Sequence, residues 1–388
     1  MKKKLIALAV STLFILTGCA TGTELGEASL GSQSNEENQS EQETQESPQP
    51  EPRKTSRLDP EVLARAQAAE KARLEAEGNL DLRYARENNL WKISTFAGEV
   101  AEEARKSVLA LKEPMEENDS LLASAQLSEE DKKLFQAALL DSQALWSGLI
   151  GKNEGFRLVV FTETEGAWAD DVAADLGASK NQMSWVKRIK SEGCNGGNAS
   201  PVASVAFVCA GTYFTDNERS IRRLVSHEYF HEVQRQMEIT HLDWPLWLME
   251  GSATYAGELL AVSTGEEILT ALGSTKGEVL AKTFGSPQVA AISADISETQ
   301  ALELYTALDV PPTNKTRQVL QDLDGYDFGA LAFGRLIEEH GIAKVIEFIE
   351  RSADEGISEL FTELFAHSKT DFFLSMSGYL QSRFVWDY

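Results

Sequence analysis

Positive charge is scarce in this chain. Its 388 residues hold 36 Lys and Arg against 61 Asp and Glu, a formal net charge of −25. Nucleic-acid binding needs clustered basic side chains to displace counterions from phosphate, so nucleic acid is excluded as a partner. The acidic excess describes a soluble, self-repelling surface and selects no substrate. Cysteine is also rare, with three in all. Beyond Leu16 no run is long and apolar enough to cross a bilayer. No internal repeat recurs at a fixed period. Histidine is limited to five, so two of them four residues apart are informative. What the chain has is enough length for two or three domains, or one large domain with appendages. Its 42% hydrophobic content is adequate for a core.

Lys2-Lys3-Lys4 forms a basic start, and Leu5 to Leu16 is an apolar stretch too short to span a membrane. It ends in Leu16-Thr17-Gly18-Cys19, which resembles the signal of bacterial lipoproteins. The resemblance implies a signal peptide over 1–18 and lipid on Cys19. The lipid bilayer would then be a partner, and the location the extracytoplasmic face of the cell membrane. Residues 19–57 are rich in Glu, Gln, Ser, Asn and Pro and cannot bury enough apolar surface to fold, so they read as a disordered polar tether. In an exported protein the two remaining cysteines, Cys194 and Cys209, invite a disulfide across the Asn195-Gly196-Gly197-Asn198 turn. The alternative is two separate thiols, with Cys209 a small core residue.

Residues 58–150 read as helical. Asp59-Pro60 is a helix start, with Asp as cap and Pro at the first helical position. That pattern ends at Gly78, a longer one is broken by Pro114, and Ser128-Glu129-Glu130-Asp131 opens another that runs to Leu149. After Gly151 the pattern becomes mixed. Phe156 to Phe161 and Ala203 to Cys209 read as strands, with a short helix near 167–176 between them. Thr215-Asp216-Asn217-Glu218 has the form of a capping box. It opens a helix expected to reach Glu238.

Within that helix lies His227-Glu228-Tyr229-Phe230-His231. Histidines at i and i+4 stand one turn apart on one face and can share a metal. Glu228 would then act as a base on water rather than as a ligand. Catalytic zinc takes three protein ligands and keeps one position open. Candidates for the third are His241, Asp243 and Glu250. Metzincin spacing fails, because Gln234 and Met237 stand where it requires Gly and His. Glu250 lies in an apolar run, where a carboxylate is costly unless paired or on a metal.

Glu250 also carries a resemblance. Trp247-Leu248-Met249-Glu250-Gly251-Ser252-Ala253-Thr254-Tyr255, eighteen residues beyond His231, resembles the W-L-x-E-G-x-A-x-Y stretch of gluzincin metallopeptidases. That group includes the M1-type aminopeptidases and the peptidase MA-like proteins. The resemblance implies an α+β fold over 151–388. It would be a zincin-like (thermolysin-like) catalytic domain with a small mixed or antiparallel sheet, an active-site helix and a helical C-terminal lobe. It implies one zinc ion held by His227, His231 and Glu250, with Glu228 catalytic. Gly251, Ala253 and Ala256 would let the two ligand-bearing helices approach. Tyr326 matches the tyrosine that stabilises the oxyanion, although Phe328 replaces the lysine of that segment; Tyr305 is a weaker candidate. Glu258 is a candidate partner for His227, and Glu232 is expected at the surface. The strand at 203–209 is expected to be the edge that pairs with substrate. It lacks the carboxylate with which aminopeptidases hold a free amine, so an endopeptidase or narrow peptidase acting on peptide or protein is expected. The alternative function is a catalytically silent surface-binding or structural lipoprotein that keeps the fold, and a third is a zinc hydrolase for a non-peptide amide or ester.

Overall fold

The computed structural model describes residues 91–386 apart from 117, 152–154, 179–184, 188–193, 195, 200–202, 212–216, 240–243, 274–295, 314–315, 317–318 and 321–322. The expected signal peptide, Cys19, tether and Asp59-Pro60 helix lie outside the described residues, as do Thr215, His241 and Asp243. Within them the fold is a mixture of many helices and two small sheets. No described helix is long and apolar enough to cross a membrane.

Strand β1 (Trp91–Ile93) pairs antiparallel with β6 (Phe384–Trp386), joining the two ends of the described chain. Helix α1 (Thr95–Leu109) follows, capped by Ser94, whose hydroxyl accepts from the Ala97 N–H. The larger sheet has strand order β2-β3-β5-β4. Its members are β2 (Leu121–Ala123), β3 (Arg157–Phe161), β4 (Gly196–Ala199) and β5 (Val205–Cys209). Between β2 and β3 the chain forms α2 (Glu129–Ile150), and after β3 it forms α3 (Gly166–Asp175). β2, β3 and β5 run parallel, and β4 is antiparallel to β5. The pattern of 58–150 is helical, yet its described part also supplies β1 and β2. The larger sheet and the main core therefore run across the expected boundary at 150/151.

Parallel strands covered on both faces read as unbroken apolar runs, and β3 and β5 do. Their side chains still divide with period two. Leu158, Val160, Ala206 and Val208 join the main core, which includes residues of α2 and of α4 (Glu218–Gln236). Val159, Phe161, Val205, Phe207 and Cys209 form a second core with Ala169 and Ala173 of α3 and with Trp185. A disulfide joins Cys194 to Cys209, with their Cα atoms 5.1 Å apart, and it holds the start of β4 to the end of β5.

The helical part is built around α5 (Leu246–Ala261), buried on nearly every side, as expected of a helix that is apolar all round. It packs between α4 and α8 (Gly325–His340). Gly251 was expected to face α4, but it meets α8: a Cβ there would lie 2.3 Å from the Gly329 carbonyl carbon. The glycine that admits α4 is Gly257, where a Cβ would come 2.6 Å from the Arg223 oxygen. After α6 (Gly265–Gly273) and α7 (Glu298–Leu308), the C-terminal helices are α9 (Ile342–Arg351), α10 (Ile357–Phe365) and α11 (Lys369–Arg383). The last two close over Trp247 through Phe361, Phe372 and Phe373.

The disulfide closes a loop with a sequence separation of 15. Replacing both cysteines with serine is expected to lower stability by ~2–5 kcal/mol in denaturant titration. A second tie, Asp141 of α2 to Arg222 of α4 at 2.5 Å, also engages Lys112. Burial pushes the Asp141 carboxyl up, but its bonds to Lys112 and Arg222 outweigh burial and hold it below its ordinary 3.8. The stabilisation is therefore present above that pH and lost below it. Asp141→Asn is expected to lower stability at neutral pH by up to about 1 kcal/mol for so exposed a pair. The gap between variant and native unfolding curves should close as pH falls below 3.8.

Candidate metal centre

Helix α4 starts at Glu218, capped by Asn217, whose side chain accepts from the Ser220 N–H at 3.1 Å. The start lies later than the capping-box pattern implies, and the helix ends at Gln236 rather than Glu238. One turn apart on its face, His227 and His231 turn their rings at 85° to each other, and their Nε2 atoms are 3.2 Å apart. Pro245 precedes α5, and Glu250 falls early in that helix. Glu250 Oε2 is 3.5 Å from His227 Nε2 and 3.4 Å from His231 Nε2. The two helices thus bring together the three expected ligands, and they form a group able to hold a metal ion.

Whether the group fits zinc is decided by protons and spacing. Tetrahedral ligands with zinc bonds of ~2.0–2.1 Å stand ~3.3 Å from one another, close to the three separations here. His231 Nδ1 is 2.8 Å from Gln234 Oε1, an acceptor. Its proton therefore belongs on Nδ1, leaving the Nε2 lone pair toward Glu250. Thr254 Oγ1, 3.4 Å from His227 Nδ1, offers the corresponding contact on the other ring. Glu250 Oε2 is buried and receives no hydrogen bond. Three electron-rich atoms converging in a buried place fit a cation. The His227 side chain is the most exposed of the three, at 14%, so the group opens on its side.

Glu228, one position past His227, turns its side chain to the sheet. It is buried against β4, where a Cβ on Gly197 would lie 2.4 Å from its Oε1. The lack of a side chain at Gly197 makes room for the carboxylate. Tyr326, in the first turn of α8, places its ring 6.2 Å from that of His227. Tyr305 does not share this position. It is fully buried, stacks on Phe373 and donates its hydroxyl to the Phe328 oxygen at 3.0 Å.

Three sequence expectations are corrected. Glu258 does not serve His227. It meets Arg223 at 2.6 Å and Arg219 at 3.6 Å, and Arg223 also approaches Asp327 at 3.6 Å. The reason is helix geometry: i+4 from Glu250 is Thr254, nearly on its face, whereas i+8 is rotated ~80° and lies a turn farther on. Burial pushes the Glu258 carboxyl up, with Arg223 opposing. Glu232 is not at the surface. It is buried beside the sheet and accepts from Ser204, Arg235 and Gln236. The edge strand beside Glu228 is β4, because β5 is flanked by β3 on one side and β4 on the other.

Sequence reasoning missed three contributors. Gln234 appeared only as a mismatch to metzincin spacing, although its i+3 position puts it on the His231 face. Thr254 was read as part of the Glu250 stretch, and Gly197 as part of a turn. No protein-family model, no curated protein and no solved structure matches this chain.

Zinc at ~100 times its dissociation constant is expected to stabilise the protein by ~2.7 kcal/mol. Glu250→Leu is expected to abolish that gain in thermal unfolding. An equal gain in both proteins would exclude this group as the binding site.

Proposed function

We propose that the protein is a zinc-dependent peptidase of the gluzincin type. In this reading it is held on the extracytoplasmic face of a membrane by lipid on Cys19, and its catalytic unit has a zincin-like, thermolysin-like arrangement. The order of elements supports the arrangement: a mixed sheet with an antiparallel edge strand, a helix with the histidine pair, then a helix with the glutamate. The observation that carries the function is Glu228, a buried carboxylate next to His227 in the chain and seated against the edge of the sheet. A purely structural metal site has no use for it.

His227, His231 and Glu250 would hold the ion, which supplies a Lewis acid for a peptide carbonyl and for water. Glu228 takes the proton of the attacking water and passes it to the leaving amine. Its place against Gly197 directs it toward whatever pairs with β4. As the edge of the described sheet, β4 would be the strand that pairs with an extended peptide. The Tyr326 hydroxyl would donate to the oxygen that gains charge in the transition state. Gly196-Gly197-Asn198-Ala199 has no carboxylate to hold a free amine, which favours an endopeptidase or narrow peptidase over an aminopeptidase.

Glu228→Gln tests the reading. It should retain about one zinc per chain, as a three-ligand site predicts. Cleavage of a broad peptide library should fall by at least ~100-fold, the lower range for loss of a general base. A native protein that binds zinc and leaves the library untouched would favour the binding-lipoprotein function, and cleavage of amides or esters alone would assign a non-peptide hydrolase.

A further inference from the structure

We propose that Gln234 is a positioning residue of the metal centre: its amide fixes the proton of His231 on Nδ1 and ties that ring to the helix carrying Glu250. The amide's orientation is set from its far end. Gln234 Nε2 is 2.8 Å from the Met249 oxygen, a backbone carbonyl that can only accept. It is also 2.9 Å from Ser252 Oγ. The Ser252 hydroxyl sends its own proton to the Leu248 oxygen at 2.6 Å, so its oxygen is the acceptor toward Gln234. Both contacts demand the NH2 group at that end. The carbonyl Oε1 must then face His231 Nδ1, at 2.8 Å, and it can only accept.

Two consequences follow. The His231 Nε2 lone pair is directed to the ligand group whether or not an ion is bound. One buried side chain also couples the second ligand on α4 to the carbonyl of the residue preceding the third ligand on α5, so the separation between ligands is braced by a hydrogen-bonded amide. Groups in this role orient and tune a ligating imidazole, and their loss typically weakens metal binding by ~10–100-fold. The proposal rests on the metal reading for its affinity, while the tautomer is a property of the metal-free protein.

The test uses the full chain with nitrogen-15-labelled histidine. In metal-free native protein above the imidazole titration range, His231 is expected to show a protonated Nδ1 and an unprotonated Nε2. The reverse tautomer would overturn the proposal, and this holds even where a variant fails to fold. Zinc competition against a chelator then compares Gln234→Leu with Gln234→Glu. The first is expected to raise the dissociation constant ~10–100-fold. The second, which keeps an acceptor for Nδ1–H, should lie closer to native. A Gln234→Leu protein that loses melting temperature but keeps native zinc affinity would reduce Gln234 to helix packing and overturn the proposal. A native chain that takes up no zinc would fail the metal reading, with the tautomer still deciding the part played by Gln234.

Discussion

A carboxylate buried between two imidazole nitrogens is the constraint around which the helical half is arranged. An uncompensated buried charge costs several kcal/mol, and Glu250 lies on a helix buried along nearly its whole length. Two neighbours must therefore be held close. α4 comes near enough to place two rings within 3.5 Å of the carboxylate because Gly257 leaves room for the Arg223 backbone. α8 comes near because Gly251 and Gly329 meet without side chains. Together these contacts set His227, Glu250 and Tyr326, from three separate helices, around one point.

The sheet contributes a different constraint. β3 and β5 are buried on both faces and form a fixed wall, and the disulfide and the antiparallel ladder hold β4 at its edge. Glu228 projects from α4 onto this edge, against a glycine. The same helix thus turns two kinds of side chain in two directions, the imidazoles toward α5 and the carboxylate toward the sheet. That division follows from the ~100° rotation per residue between His227 and Glu228.

Much of the frame was legible in the residues. The capped start of α2 at Ser128, the apolar cores of β3 and β5, the glycine end of α8 and the cluster of His227, His231 and Glu250 all follow from local pattern. Less legible were positions whose meaning depends on what lies across a helix or strand. Glu258 was assigned to His227 by counting turns, but accumulated rotation turns it to Arg223. β5 has the look of an accessible strand, yet a four-residue strand poor in apolar side chains pairs outside it. The strands before residue 151 were hidden because each is only three residues long, too short to show a period.

The sequence by itself determined which side chains share a helical face and which runs are apolar, because both depend on rotation per residue and on side-chain chemistry. It thereby named the two histidines, the carboxylate beside them and the glutamate that joins them. Only the tertiary structure decided that Gln234 would face His231 while its amide reached Met249, that Gly197 would seat Glu228, and that β4 rather than β5 would be the edge. Those outcomes depend on helix crossings and strand order, which are set by contacts between residues far apart in the chain.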